Sequence, residues 1–212
     1  MTQALARYGG RAVLAVGAHP DDLEVGAGGT LARLAASGAR VVMAVLSVPT
    51  EPEVREEEAR RAAERLGCEL RLVTADGRHV EDLKSYEVVA AIDGLFHELR
   101  PALLIAHASC DHHRDHVLAG AEATALRRLG LFDHWRFATS SEATRAGPFE
   151  PSLYVDITTG LDAKLAAIDE HASQFRQRGR DISIFGERAR ETGRLAGVEY
   201  AEAFEVGRLL FE

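Results

Sequence analysis

Arg11-Ala12-Val13-Leu14-Ala15-Val16, followed after Gly17 and Ala18 by His19-Pro20-Asp21-Asp22, decides the reading of this chain. The first stretch is largely apolar and short, the pattern of a buried strand. The turn behind it is held by a proline and carries one imidazole and two carboxylates. In open α/β sheets, chemistry collects beyond the C-terminal ends of the strands. A second apolar run, Leu103-Leu104-Ile105-Ala106, leads into Asp111-His112-His113-Arg114-Asp115-His116. Two acid-and-histidine turns behind two strands predict one shared metal site.

Outward from these turns, strand-like and helix-like stretches alternate. Strands are predicted at Val13–Val16, Val41–Leu46, Leu70–Val73 and after Pro101. Helices are predicted over Gly26–Ser37, Glu53–Leu66, Tyr86–Leu99 and Asp115–Leu129 from apolar residues at helical spacing. Gly38 and Gly67 supply two of the stops. Repeated β-α-β units imply a mostly parallel sheet between two helical layers. The last third is less regular. Arg136–Ala138 and Tyr154–Asp156 read as short strands, Gly160–Gln174 as a helix, and Arg176–Arg180 as a polar loop. Glu199–Leu210 suits either a helix or a strand.

The 212 residues, 46% hydrophobic, suffice for one core, so the whole chain (residues 1–212) is expected to be a single domain. A formal net charge of −8 argues against nucleic acid or an anionic membrane surface as the main partner. No apolar run reaches membrane-spanning length, and no signal-peptide pattern opens the sequence. Two cysteines, Cys68 and Cys110, lie far apart and suggest neither a disulfide framework nor a zinc ribbon. A cytoplasmic protein fits these features best.

Catalytic zinc takes three protein ligands and keeps a position open. The available set is His19, Asp22 and one or two of His112, His113 and His116. With Asp21 beside Asp22, one carboxylate can bind the metal while its neighbour serves as general base. His113 and His116 stand three apart at a predicted helix start, which puts both rings on roughly one face. One can bind metal and the other face substrate; spacing leaves open which. Asp115 can hold an imidazole in one tautomer. Each turn alone would equally serve as a solvated helix start. Their joint placement behind two strands favours chemistry.

Ala18-His19-Pro20-Asp21-Asp22 with Glu24 and Gly26-Ala27-Gly28-Gly29-Thr30-Leu31 resembles the signature of the LmbE-like, or PIG-L, deacetylases. His113-x-Asp115-His116 resembles their second motif. Weaker similarities run through Arg55-x-x-Glu58, Leu66-Gly67, Asp76-Gly77, Arg100-Pro101, His171-x-Ser173-Gln174 and Tyr200-Ala201-Glu202-Ala203-Phe204. The resemblance implies a Rossmann-like three-layer fold with the first and fourth strands adjacent. It implies zinc held by His19, Asp22 and His116, with Asp21 as general base. His113 would be general acid or oxyanion stabiliser, made cationic by a nearby Asp115. Family substrates are mainly N-acetylglucosamine conjugates, so the implied partner is a small amino-sugar conjugate, and a homo-oligomer is expected. A cationic His113 working with an ionised Asp21 implies a bell-shaped pH dependence.

Two departures stand out. Many relatives carry a Thr-Asp-Gly-Glu-type loop where this chain has Ser47-Val48-Pro49-Thr50-Glu51-Pro52, and Arg114 replaces a common proline. Arg55 and His171 are substrate-contact candidates. Arg55 opens a charged helix, which favours a solvated side chain, and His171 equally suits capping or packing. His112 reads as a surface residue and Cys110 as a small buried thiol. Gly26, Gly28 and Gly29 come too late after the strand for a dinucleotide fingerprint. Two rivals remain: a non-catalytic metal- or sugar-binding module, and a mononuclear iron oxygenase, since two histidines and a carboxylate also suit iron(II).

Overall fold

The computed structural model describes residues 3–74, 76–139 and 147–210. After one turn, α1 (Gln3–Ala6), the chain runs through β1 (Ala12–Gly17), α2 (Asp22–Ala36), β2 (Arg40–Val45), α3 (Pro52–Leu66) and β3 (Glu69–Leu72). It continues through α4 (Ser85–Leu99), β4 (Leu103–His107), α5 (Arg114–Thr124), β5 (Asp133–Phe137) and β6 (Leu153–Asp156). The described residues end with α6 (Leu161–Glu170), α7 (Ser183–Ala196) and β7 (Ala201–Arg208). Short 3-10 turns occupy Val80–Asp82, Ala125–Arg128 and Arg176–Arg178.

Seven strands form one sheet in the order β3-β2-β1-β4-β5-β7-β6. The first five in that order pair in parallel, and β7 pairs antiparallel with both β5 and β6. Strand alternation builds two cores. Val13 and Ala15 of β1 face Leu23, Leu31 and Leu34 of α2, while Leu14 and Val16 face Ile92 and Phe96 of α4. The chain is therefore a mostly parallel three-layer α/β structure. Its strand order reverses between β1 and β4, which pair from Val13↔Leu103 to Val16↔Ala106. That switch point is where ligand crevices open in such sheets, and both acid-and-histidine turns leave the sheet there.

Several elements differ from the sequence reading: α5 gives way to a 3-10 turn at Ala125 instead of running to Leu129, and β5 spans Asp133–Phe137 instead of Arg136–Ala138. Helix α2 begins at Asp22, not Gly26, so the carboxylate turn is already helical. Its glycines pack the helix onto the sheet: a Cβ on Gly26 would collide with the Phe137 ring, and one on Gly29 would stand 2.7 Å from Ile157. Helix α6 stops at Glu170 instead of Gln174, and α7 has no counterpart in the sequence reading. Among its residues only Ala189 and Gly193 are buried. The ambiguous tail resolves as β7.

His134 on β5 is a stability liability of this packing. It is 1% exposed, and neither ring nitrogen has a partner among the described residues. Burial, with Arg136, Arg127 and Arg208 nearby, pushes it down to about 4. A histidine depressed on folding leaves stability intact above its ordinary value near 6.5 and erodes it as pH falls toward 4. Denaturant titrations should show His134→Leu losing about 2 kcal/mol less than the native protein between pH 8 and pH 5. Identical pH slopes would refute this.

Candidate metal centre

The first turn is shaped by backbone as much as by side chains. Asp21 lies at φ 95°, a left-handed conformation that aspartate tolerates better than most residues. Its side chain makes no capping bond, so its carboxylate stays available to the crevice. Asp22 and Glu24 follow in the first helical turn, where the helix dipole favours negative charge.

Three side chains converge from the two turns. His116 Nε2 lies 3.2 Å from Asp22 Oδ1, and His19 Nδ1 lies 3.7 Å from Asp22 Oδ2. Donors about 2.1 Å from one tetrahedral ion stand about 3.4 Å apart, so these separations suit a small cation. Each imidazole has a carboxylate behind it. His19 Nε2 pairs with Asp115 Oδ2 at 2.8 Å, and His116 Nδ1 with Asp111 Oδ2 at 3.0 Å. That arrangement fixes the tautomers so that His19 Nδ1 and His116 Nε2 point inward.

Two other groupings of acids and histidines exist among the described residues, His19 with His79 and Asp115, and His107 with Asp111 and His116. In both, the carboxylate is already engaged. Asp115 accepts the Val80 N–H at 3.1 Å and the Glu81 N–H at 2.9 Å besides its histidines. Asp111 accepts the His113 N–H and the Thr139 hydroxyl, both at 2.9 Å. Asp22 is engaged by the His19 N–H at 2.8 Å but otherwise faces imidazole nitrogens, so His19, Asp22 and His116 form the donor set best fitted to a metal.

The electrostatics agree with that choice. Burial opposes the charge on Asp22, but His116 and His107 outweigh it and hold the carboxyl well below its usual range. Burial also works against a charged His116, yet Asp22 and Asp111 lift it to about 10. Without a cation the pair holds a proton between them, which metal binding would release. Burial lowers His19, leaving its ring neutral as a ligand must be.

Asp21 stands beside this set without joining it. Burial, then the neighbouring Asp22 charge, pushes it up to about 7, while Arg55 pulls the other way. Arg55 donates to the Pro20 carbonyl at 2.7 Å and to Asp21 Oδ1 at 3.4 Å. It is 5% exposed, so the solvated side chain expected from the charged helix is corrected. Its guanidinium folds back onto the turn because that carbonyl and carboxylate offer it partners. His171 is fully buried and pairs with Glu24 Oε1 at 3.0 Å, away from any solvent-facing surface. Glu58 accepts both the N–H and the hydroxyl of Ser173, at 2.8 and 2.6 Å. The Arg55-x-x-Glu58 and His171-x-Ser173-Gln174 patterns thus meet behind the first turn as scaffold.

His113 is exposed at the crevice, its ring stacked on His116 with centroids 4.7 Å apart. Its Nδ1 accepts the Asp115 N–H at 3.2 Å. The Asp115 carboxylate itself turns to His19, so the expected support of a cationic His113 by that carboxylate is corrected. A backbone donor on Nδ1 leaves the proton on Nε2, pointing outward. His112 is exposed and Cys110 buried, as their surroundings suggested. His79, His107, Asp111 and Thr139 received no role from the sequence. His107 is buried, stacked on His116 at 4.4 Å, with Nε2 accepting the Ala18 N–H at 3.2 Å. Asp111 lay within the second cluster and was the one of these four with a signal.

Known proteins similar to this chain place it in a family. Residues 14–126 match the family described as PIG-L: GlcNAc-PI de-N-acetylase, and the chain belongs to that family. It is 35% identical to the Uncharacterized deacetylase YaiS of Escherichia coli (strain K12), over 77% of this chain and 91% of that one. The diacetylchitobiose deacetylase of Thermococcus kodakarensis is 28% identical over 90% of this chain and 80% of its own. Among solved structures, the conserved protein TT1542 from Thermus thermophilus superposes with a TM-score of 0.76 at 29% identity, covering 94% and 96% of the two chains.

Proposed function

We propose that this protein is a zinc-dependent hydrolase that removes the acetyl group from an N-acetylglucosamine conjugate. The observation that carries the reading is Asp21: an ionisable carboxylate at the crevice, beside the candidate donor set but outside it. Family membership and two curated relatives named as deacetylases support it.

His19, Asp22 and His116 would hold the metal. Zinc in such a site lowers the pKa of water and polarises an acyl oxygen. Asp21, kept ionised with the help of Arg55, takes the proton from water as its oxygen bonds to the acetamide carbon. His113 presents its Nε2–H where negative charge develops on the carbonyl oxygen. The C–N bond then breaks, the proton held by Asp21 passes to the leaving nitrogen, and acetate and a free amine result. Asp115 and Asp111 act through the imidazoles they orient, and Arg55 and His171 through the turn they hold. These last two are therefore read as positioning residues, not substrate contacts.

Zinc-loaded protein should release acetate from at least one member of a panel of N-acetylglucosamine conjugates, without consuming oxygen. Oxygen consumption with the iron(II) form would favour the oxygenase alternative. Verified zinc without turnover on any member would favour a binding module.

A further inference from the structure

One buried ion pair lies outside the mechanism yet holds the helix that carries it. Lys164 of α6 is 3% exposed and Glu202 of β7 is 5% exposed. Their charged groups meet at 2.5 Å. Both side chains address the backbone of α2. Lys164 Nζ donates to the Val25 carbonyl at 2.7 Å. Glu202 accepts the Gly29 N–H at 3.0 Å and the Thr30 N–H at 2.8 Å. The pair therefore grips α2 at three backbone atoms, Val25 about one turn and Gly29 and Thr30 about two turns beyond Asp22.

The grip falls where α2 is least able to hold itself. Val25-Gly26-Ala27-Gly28-Gly29 contains three glycines, the weakest helix formers after proline. The turn before it contains Asp21 in a left-handed conformation and has no side-chain cap. The donor Asp22 and the proposed base Asp21 thus stand on a strained turn joined to the helix body through a glycine-rich segment. Buried ion pairs are weak sources of stability, because desolvation offsets their attraction. An apolar pair would pack α6 and β7 as well, but it would leave the three backbone atoms without these partners.

We propose that Lys164 and Glu202 are positioning residues that set where the first turn of α2, and with it Asp22, stands relative to His19 and His116. The proposal rests on the zinc reading above. It also gives Tyr200-Ala201-Glu202-Ala203-Phe204 a physical role, since this stretch delivers a carboxylate to the backbone of α2.

The test is the double variant Lys164→Met, Glu202→Gln, which removes both buried charges together. Its zinc affinity is measured by competition with a chromophoric chelator, alongside the thermal midpoint of the metal-free protein. The midpoint is expected to stay within a few degrees of native, while the zinc Kd rises about 10-fold or more, the range typical of lost ligand support. With zinc saturating, kcat should fall while KM changes little. A folded double variant whose zinc Kd and kcat lie within about twofold of native overturns the proposal. If the double variant does not fold, Glu202→Gln alone carries the test on the same criteria, since it keeps an acceptor for one N–H and leaves Lys164 on Val25. A native protein that binds zinc but deacetylates nothing would defeat the functional reading and leave the affinity comparison intact. A native protein that binds no zinc would overturn both.

Discussion

Asparagine in place of Asp21 is expected to lower kcat/KM for deacetylation by roughly 10²–10⁴-fold, the usual contribution of a positioned general base, while zinc stays bound. Asparagine is the right replacement because residue 21 sits at φ 95°. Asparagine tolerates that conformation, whereas alanine would add backbone strain and blur the result. Zinc retention follows from geometry: the converging donors are His19, Asp22 and His116, and Asp21 is not one of them. The pH dependence supplies a second reading. Asp21 lies at about 7 without a cation, and a bound divalent ion beside it would pull it lower. Activity of the zinc-loaded enzyme should therefore be full near neutrality and fall as pH drops through a value below 7, where the base is protonated. Turnover within tenfold of native in Asp21→Asn would remove Asp21 from its assigned role.

The second large effect is expected at residues that never touch the metal. Asp115→Asn and Asp111→Asn should each weaken zinc binding by about 10–100-fold, because each carboxylate orients one imidazole. The two should differ in what else they disturb. Asp115 also ties down the Val80 and Glu81 N–H groups, so its replacement should loosen the 3-10 turn at Val80–Asp82. Asp111 also receives the His113 N–H, so its replacement should disturb the ring proposed to face the substrate. Chelator competition reads the affinity, and amide exchange at Val80 and Glu81 separates the two. Unchanged zinc affinity in both variants would mean that the metal sits elsewhere.

Much of this architecture is legible in the chain alone. The apolar runs at Val13–Val16 and Leu103–Ala106 are buried strands, and both chemically loaded turns follow them directly. Local pattern suffices there because a fully buried parallel strand must be apolar on both faces. Pattern failed where tertiary contact overrides propensity. The glycines of α2 suggested that the helix starts at Gly26; they are helical because they let the helix approach Phe137 and Ile157. Arg55 belongs to a charged helix by sequence and is buried by a carbonyl far away in the chain. His107 and Thr139 carry no motif and acquire meaning only from the rings and carboxylates stacked beside them.

What the sequence by itself determined was the inventory: an α/β chain, two strand-end turns, and the residue types that a hydrolytic metal site requires. Covalent order and local spacing settle these, and no partner is needed to read them. Only the tertiary structure decided which members of that inventory touch one another, and through which atoms. Pairing of β1 with β4 brings residues almost a hundred positions apart within hydrogen-bond reach, and hydrogen bonds then select which nitrogen faces inward. The Asp115 carboxylate serves His19 instead of its neighbour His113 because side-chain direction, not sequence distance, governs which groups can meet.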